Sequence, residues 1–418
     1  MLNSLTRMFP INKLFNHVKL PSDLARVTNY GNECSSLEGT QMTQTEVEHI
    51  WSAVEDFYSS AAHPMISMCL RRKGKVVLNR AIGHAQGSLD ESQALLATTD
   101  TPVCLFSASK GITALLVHKL SESGAIDLDL PLAHYIPEFG CHGKHEITVD
   151  DLLSHRAQVP SLEREAPEAM LDHEHILDKI CSSKPESVNQ AYHAVSSGYL
   201  ISTLIERATG KSINEQLDTH FRQPLGMKYF TYGIGEKYQA ITADNACSGM
   251  KTMFPVKNLV EDILGGDLNE LVELSNTSGY KNATIPAANM YATAEECSRF
   301  YQMILNGGHY NDQKIMDPKT IARAIQGPCL PRWDSSFKIP ARFSSGLMLG
   351  GPPMMLFGYD ACKAYGHLGL INIITWADPE RDISGSILST GKSIVGPHLI
   401  DLAKLMSSIN WRCSKSAH

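Results

Sequence analysis

Ser107–Ala108–Ser109–Lys110 sets a hydroxyl and an amine three positions apart. On a helix that spacing puts the two side chains one turn apart on the same face. A serine hydroxyl is a poor nucleophile until something removes its proton. A lysine can remove it only when partly neutral, and burial or nearby positive potential lowers its pKa enough for that. If Ser107 opens the helix, the free N–H groups and the dipole there favour developing negative charge. The chemistry this pair could carry is nucleophilic catalysis by an activated serine. The same S-x-x-K spacing recurs at Ser248/Lys251, Ser278/Lys281, Ser335/Lys338 and Ser389/Lys392, and the plain reading of such a serine is a helix N-cap. Only Ser107 combines a preceding apolar run, Val103 to Phe106, with a long and strongly periodic helix.

The elements that must position this pair follow from the patterning. In SASKGITALLVHKLSESG, Ala108, Ile112, Leu115, Leu116 and Leu120 form one apolar stripe, and Gly124 is a natural stop. Upstream, TEVEHIWSAVEDFYSSA predicts a helix with Val47, Ile50, Trp51, Val54 and Phe57 on one face. MISMCLRRKGKVVLNRAIG then predicts two strands joined by a turn around Gly74. From Ile147 to about Ile285 the pattern is mainly helical, including SSGYLISTLIERATG, which ends at Gly210; AEECSRFYQMILNGG predicts a later helix. INIITWADPERDISGSILSTG predicts two strands turning at Asp378–Pro379, and PHLIDLAKLMSSI predicts a closing helix. Strands at both ends predict an α/β domain split between residues 46–135 and 286–418, with a mainly helical domain, 136–285, between them. Residues 1–45 are polar and irregular and read as an N-terminal extension.

Composition narrows the function classes. The chain has 418 residues, 43% hydrophobic and 19% charged, which supports a large core and excludes disorder or coiled coil as a description of the whole. Its 37 basic and 44 acidic residues give a net charge of −7 without a basic run, which disfavours a nucleic-acid partner. No stretch approaches the ~20 apolar residues of a membrane helix, so stable membrane insertion is not expected. The first 24 residues interleave Arg7, Lys13 and Lys19 with apolar positions and lack the core of an export signal, so the expected location is the cytoplasm. There the ten scattered cysteines are read as reduced thiols. With no CxxC, HExxH, P-loop, GxGxxG or G-x-S-x-G, no metal and no cofactor is expected, and an α/β-hydrolase elbow is absent.

FSASKGITALLVHKLSESGAIDLDLPLAHYIPEF, followed by ITVDDLLSHRAQVP, resembles the nucleophile region of the serine β-lactamase-related family, which includes class C β-lactamases, D,D-peptidases and family VIII-type carboxylesterases. The resemblance continues through AYHAVSSGYLISTLIERATGKSINEQL, IPAANMYATAEECSRFYQMILNGG and YGHLGLINIITWADPERDIS, and covers most of residues 60–390. It implies a β-lactamase/transpeptidase-like fold, an antiparallel sheet flanked by helices with an inserted helical domain and the site between. It also implies that Ser107 is the nucleophile, Lys110 its lysine and Tyr192 the second-motif tyrosine that shuttles a proton. His367–Leu368–Gly369 matches the third motif, beside which the backbone N–H of Leu370, with that of Ser107, would form the oxyanion hole; Ser389–Thr390–Gly391 is the rival.

Three departures stand out. Ala194 replaces a common asparagine, His367 replaces a lysine, and Gln158 stands where glycine is frequent. They point away from β-lactam turnover and toward a metal-independent serine hydrolase of small-molecule carboxylic esters, or an acyltransferase using the same acyl-enzyme. The alternatives are β-lactamase or D,D-peptidase activity and a catalytically silent scaffold; homo-oligomerisation is left open. Pocket walls are expected from residues 250–285 and 330–360, where GLMLGGPPMMLFGYD suggests an apolar rim.

Overall fold

The computed structural model describes residues 14–162 and 165–415, so residues 1–13 of the expected extension lie outside the described residues. An eight-stranded antiparallel sheet forms its centre, running Met348–Leu349, Tyr365–Gly369, Ile373–Asp378, Ile383–Ser389, Met65–Arg72, Lys75–Gln86 and Thr28–Tyr30, with Leu95–Leu96 paired to Lys75–Gln86. The seam sets Ile387 opposite Met68 and Ser384 opposite Arg71. The sheet therefore closes only when the chain returns, as the strand patterns at both ends predict. The Met65–Gln86 hairpin turns at Lys73 and Gly74, both at positive φ (50° and 77°), the primed geometry that matches strand twist.

Helices cover both faces. Gln44–Ser59 packs with His398–Arg412 on one side, and Ala294–Leu305 crosses the strands on the other. Covered on both sides, Met65–Arg72 is buried at every position, which is why it reads as an apolar run rather than an alternation. Val47, Ile50, Trp51, Val54 and Phe57 are all buried, and Thr43 with Glu46 closes a capping box at their helix start.

Two expectations differ from the structure. The helix Ser109–Glu122 is buried nearly all round, Thr113 and His118 included, because it lies inside the core rather than at its edge. Residues 14–45, read as an extension, instead pair with the body: Thr28–Tyr30 edges the sheet opposite Arg80–Ile82, and Phe15–Asn16 pairs with Gly249–Met250. Strands of two or three residues have no room for a periodic signal.

The core also holds titratable groups. His63, His118, His155, His193 and His367 are buried, and desolvation holds each below the ordinary imidazole value, at about 4 for His118 and His193. Unfolding restores a pKa near 6.5, so the unfolded chain binds more protons below that pH. The stability these groups contribute is complete above about pH 6.5 and is lost as pH falls toward the folded values, by up to ~1.4 kcal/mol per unit for each group. The urea midpoint is expected to drop clearly between pH 7.5 and pH 5; an unchanged midpoint contradicts this electrostatic picture.

Candidate active site

The chain reaches Ser107 through the strand Val103–Cys104 and a 3-10 turn, Phe106–Ala108, that runs into the helix Ser109–Glu122. Ser107 makes no capping bond to that helix, so the plain N-cap reading does not describe it. It is partly exposed while its neighbours are buried. Phe106, just before it, has φ +46°, a left-handed conformation that bulky residues adopt at a cost of about 1–3 kcal/mol.

Lys110 Nζ donates to Ser107 Oγ at 3.2 Å, to the Ala194 carbonyl at 2.6 Å and to the Ala287 carbonyl at 3.0 Å. These acceptors are neutral and the side chain is buried, so desolvation pulls the lysine pKa down to about 7. Near neutral pH the amine is therefore substantially unprotonated. Gly111 follows it in the first turn of the helix. A Cβ there would stand 2.9 Å from both Leu347 Cδ2 and the Tyr301 hydroxyl, so the glycine lets these groups close on the helix beside the amine.

Tyr192 hydrogen-bonds through its phenol with Ser107, and its ring lies 5.3 Å from Lys110 Nζ. Phe337 stacks on that ring at 4.7 Å and His155 lies at 4.8 Å, and this burial raises the phenol pKa well above its ordinary value. Buried Asp334 fixes the segment: it accepts from the backbone N–H groups of Tyr192, Ser336 and Phe337, while Ser336 Oγ donates to the Tyr192 carbonyl.

The strand Tyr365–Gly369 lies directly against the nucleophile turn. A Cβ on Gly369 would stand 2.2 Å from the Leu105 carbonyl oxygen, so only glycine permits this approach. Leu370 and Ile371 follow with φ of +37° and +66°. His367 is fully buried, its Nδ1 bonded to the Leu368 carbonyl, and the cavity wall is formed by its neighbours Leu368 and Leu370. Burial and the nearby Lys110 push its pKa down to about 3, so it carries no charge at neutral pH. Gln158, at the position expected to favour glycine, has φ +59°.

Two of the rival pairs have members engaged elsewhere. Ser389 Oγ donates to the Asn372 carbonyl, Lys392 donates to the Ser389 carbonyl, and Lys281 pairs with Asp244. The structure thus brings Ser107, Lys110, Tyr192, Gly369 and Leu370 together and sets His367 beneath the surface. Sequence reasoning missed Asp334, Phe337, His155 and the two carbonyls that hold the amine. No local signal marks them, because each acts only by meeting a distant segment.

A cavity of about 280 Å³ opens beside Ser107 and Tyr192, and its other walls are apolar. As expected, many come from the segments around 250–285 and 330–360, with Met348 and Met354 among them; Ala194, Leu368, Leu370, Ile371 and Ile394 supply the rest. Among the described residues, no group of three or more His, Cys, Asp or Glu is placed to hold a metal ion, and no helix is long and apolar enough to cross a membrane.

Residues 50–404 match the protein-family model described as Beta-lactamase. The chain belongs to the beta-lactamase family. This family member is 26% identical over 304 residues to the Esterase/beta-lactamase LipL of Mycobacterium tuberculosis (strain ATCC 25618 / H37Rv), a match covering 70% of each chain. It superposes on the crystal structure of a family VIII carboxylesterase with a TM-score of 0.74 and 22% identity, covering 89% of this chain and 99% of that one. A penicillin-binding protein homologue from Caulobacter crescentus gives a TM-score of 0.73 at 22% identity, over 89% and 98%. The β-lactamase/transpeptidase-like fold expected from the sequence is therefore the fold of this beta-lactamase-family chain.

Proposed function

We propose that this chain is a serine hydrolase that cleaves carboxylic esters through a covalent acyl-enzyme. The observation that carries the reading is the buried Lys110 amine, with a pKa lowered to about 7, held 3.2 Å from Ser107 Oγ. Neutral Lys110 takes the Ser107 proton as Oγ bonds to the ester carbonyl carbon. The backbone N–H groups of Ser107 and Leu370 hold the oxygen that becomes negative. Tyr192, kept as a neutral phenol, gives its proton to the departing alkoxide and regains one from Lys110. Water then enters by the reverse proton path and releases the acid. Asp334 and Phe337 are positioning residues for Tyr192.

Esters suit this site better than β-lactams or peptides. Neutral His367 offers no cation to a substrate carboxylate, and Ala194 has no side-chain amide to bind a substrate amide. The name of the mycobacterial relative, an esterase and β-lactamase, agrees with this class of reaction. We assign residues 46–135 with 286–418 to one domain and 136–285 to the other, with the site where they meet. The ten free thiols support a reducing, cytoplasmic location.

Hydrolysis of p-nitrophenyl butyrate compared with nitrocefin tests the reading. Ester turnover with slow or absent nitrocefin turnover is expected; fast nitrocefin turnover with no ester cleavage replaces the esterase by a β-lactamase. The pH profile follows from Lys110. Below about pH 7 the amine is protonated and cannot accept the serine proton, so kcat/KM is expected to fall tenfold per pH unit on the acid side. Tyr192 stays protonated through this range and adds no limb of its own. A flat profile between pH 5 and 9 contradicts the assignment of the base.

A further inference from the structure

The helix Val256–Leu264 carries Val256, Leu259, Val260, Ile263 and Leu264 at the spacing of a single apolar stripe. Such a stripe is normally buried against a core. Here none of the five is fully buried, and the one buried residue of the helix is Glu261. The reason is the space they face: all five line the 280 Å³ cavity whose polar end is Ser107 and Tyr192. On the far side, Leu259 and Ile263 also line a second, open cavity of about 500 Å³, with Glu186, Ser335 and Ser336. The helix is thus a thin partition with incompletely packed apolar side chains, ending at Gly265 in a left-handed conformation.

An apolar surface left half-covered gains free energy from whatever apolar group fills the space beside it. This space begins at the nucleophile, so its occupant is covalently continuous with the carbonyl that Ser107 attacks. A methylene occupies about the volume of a water molecule, roughly 30 Å³, so the cavity holds a chain of roughly six to nine carbons. We infer that the cavity takes the acyl chain of a medium-chain aliphatic ester, and that the Val256–Leu264 helix sets the length accepted. The inference rests on the esterase reading above and names its substrate class.

The test is a p-nitrophenyl ester series, acetyl to palmitoyl, on the full-length protein, beside a series of alkyl acetates that lengthens the alcohol instead. Along the acyl series kcat/KM is expected to rise about threefold per methylene to roughly eight carbons and then fall. Ile263→Trp fills the cavity and is expected to lower the octanoate-to-acetate ratio of kcat/KM at least tenfold. Ile263→Ala opens it toward the second cavity and is expected to raise the dodecanoate-to-octanoate ratio. Equal rates from acetate to octanoate, with both ratios unmoved, overturn the inference while leaving the esterase reading intact. Length dependence in the alcohol series alone overturns it equally. No ester turnover anywhere in either series overturns both.

Discussion

Lys110→Met is expected to lower kcat/KM on a short ester by about 10³–10⁴-fold, toward the upper range for removing a general base. The effect is large because Lys110 is the amine held against Ser107 Oγ, while Lys392, the second buried lysine of lowered pKa, donates to the Ser389 carbonyl instead. Tyr192 keeps its proton at neutral pH, and His367, though basic in principle, is buried and engaged at Nδ1 with the Leu368 carbonyl. The same substitution separates activity from stability. The folded pKa of Lys110 is lowered to about 7, so between that pH and its ordinary value of 10.5 the unfolded chain binds the extra proton. The wild-type fold is therefore penalised at pH 7, and the penalty disappears only as pH rises past the unfolded value. Methionine removes the penalty but leaves the Ala194 and Ala287 carbonyls without their donor. The variant is expected to be at least as stable as wild type at pH 7, and its stability to rise less steeply from pH 7 to 10. A protein that unfolds outright would show a structural lysine; near-wild-type turnover would show a misassigned base.

Ser107→Ala is expected to reduce ester hydrolysis by at least about 10⁴-fold, because the covalent route is then closed and only the backbone donors and the cavity remain to assist water. Ser107 is partly exposed and makes no helix cap, so its stability cost is limited to the hydrogen bonds its Oγ shares with Lys110 and Tyr192, about 1–2 kcal/mol in unfolding free energy. The two residues act as one unit, so the double variant Ser107→Ala/Lys110→Met should be no slower than Ser107→Ala alone. Additive losses would mean that Lys110 serves a step independent of the serine.

Much of this site is legible in the residues. Ser107 and Lys110 are adjacent on one helix, so a spacing rule finds them, and Gly369 is legible as part of a short motif on a predicted strand. The sheet is legible for a related reason: Met65–Arg72 and Ile383–Ser389 are long enough for an apolar run to declare them. The clamp on Tyr192 is not legible. Asp334 meets Tyr192 across 142 residues of sequence, and its loop looks like any polar turn until the chain is folded. His367 is the opposite case. Its place in the third motif suggests a substrate contact weaker as a cation than lysine, and only its complete burial shows that it lies beneath the surface and is neutral. The edge strand Thr28–Tyr30 was hidden by its length, and the incomplete packing of Val256–Leu264 by its ordinary amphipathic pattern.

The left-handed residues Phe106, Leu370 and Ile371 flank the nucleophile on two separate segments. Each costs free energy that the surrounding core must offset. Together with two buried lysines of lowered pKa, Lys110 and Lys392, they place strained backbone and costly ionisable groups around one turn. Lys392 Nζ lies 4.7 Å from the ring centre of Phe106, which ties the second lysine to the residue that precedes Ser107.

The most direct test is intact-mass spectrometry of the protein quenched within milliseconds of mixing with p-nitrophenyl butyrate. A mass increase of one butyryl group, located on the peptide containing Ser107 and missing from Ser107→Ala, is the predicted result. Steady ester turnover with no adduct at any quench time, or an adduct on another side chain, would contradict it.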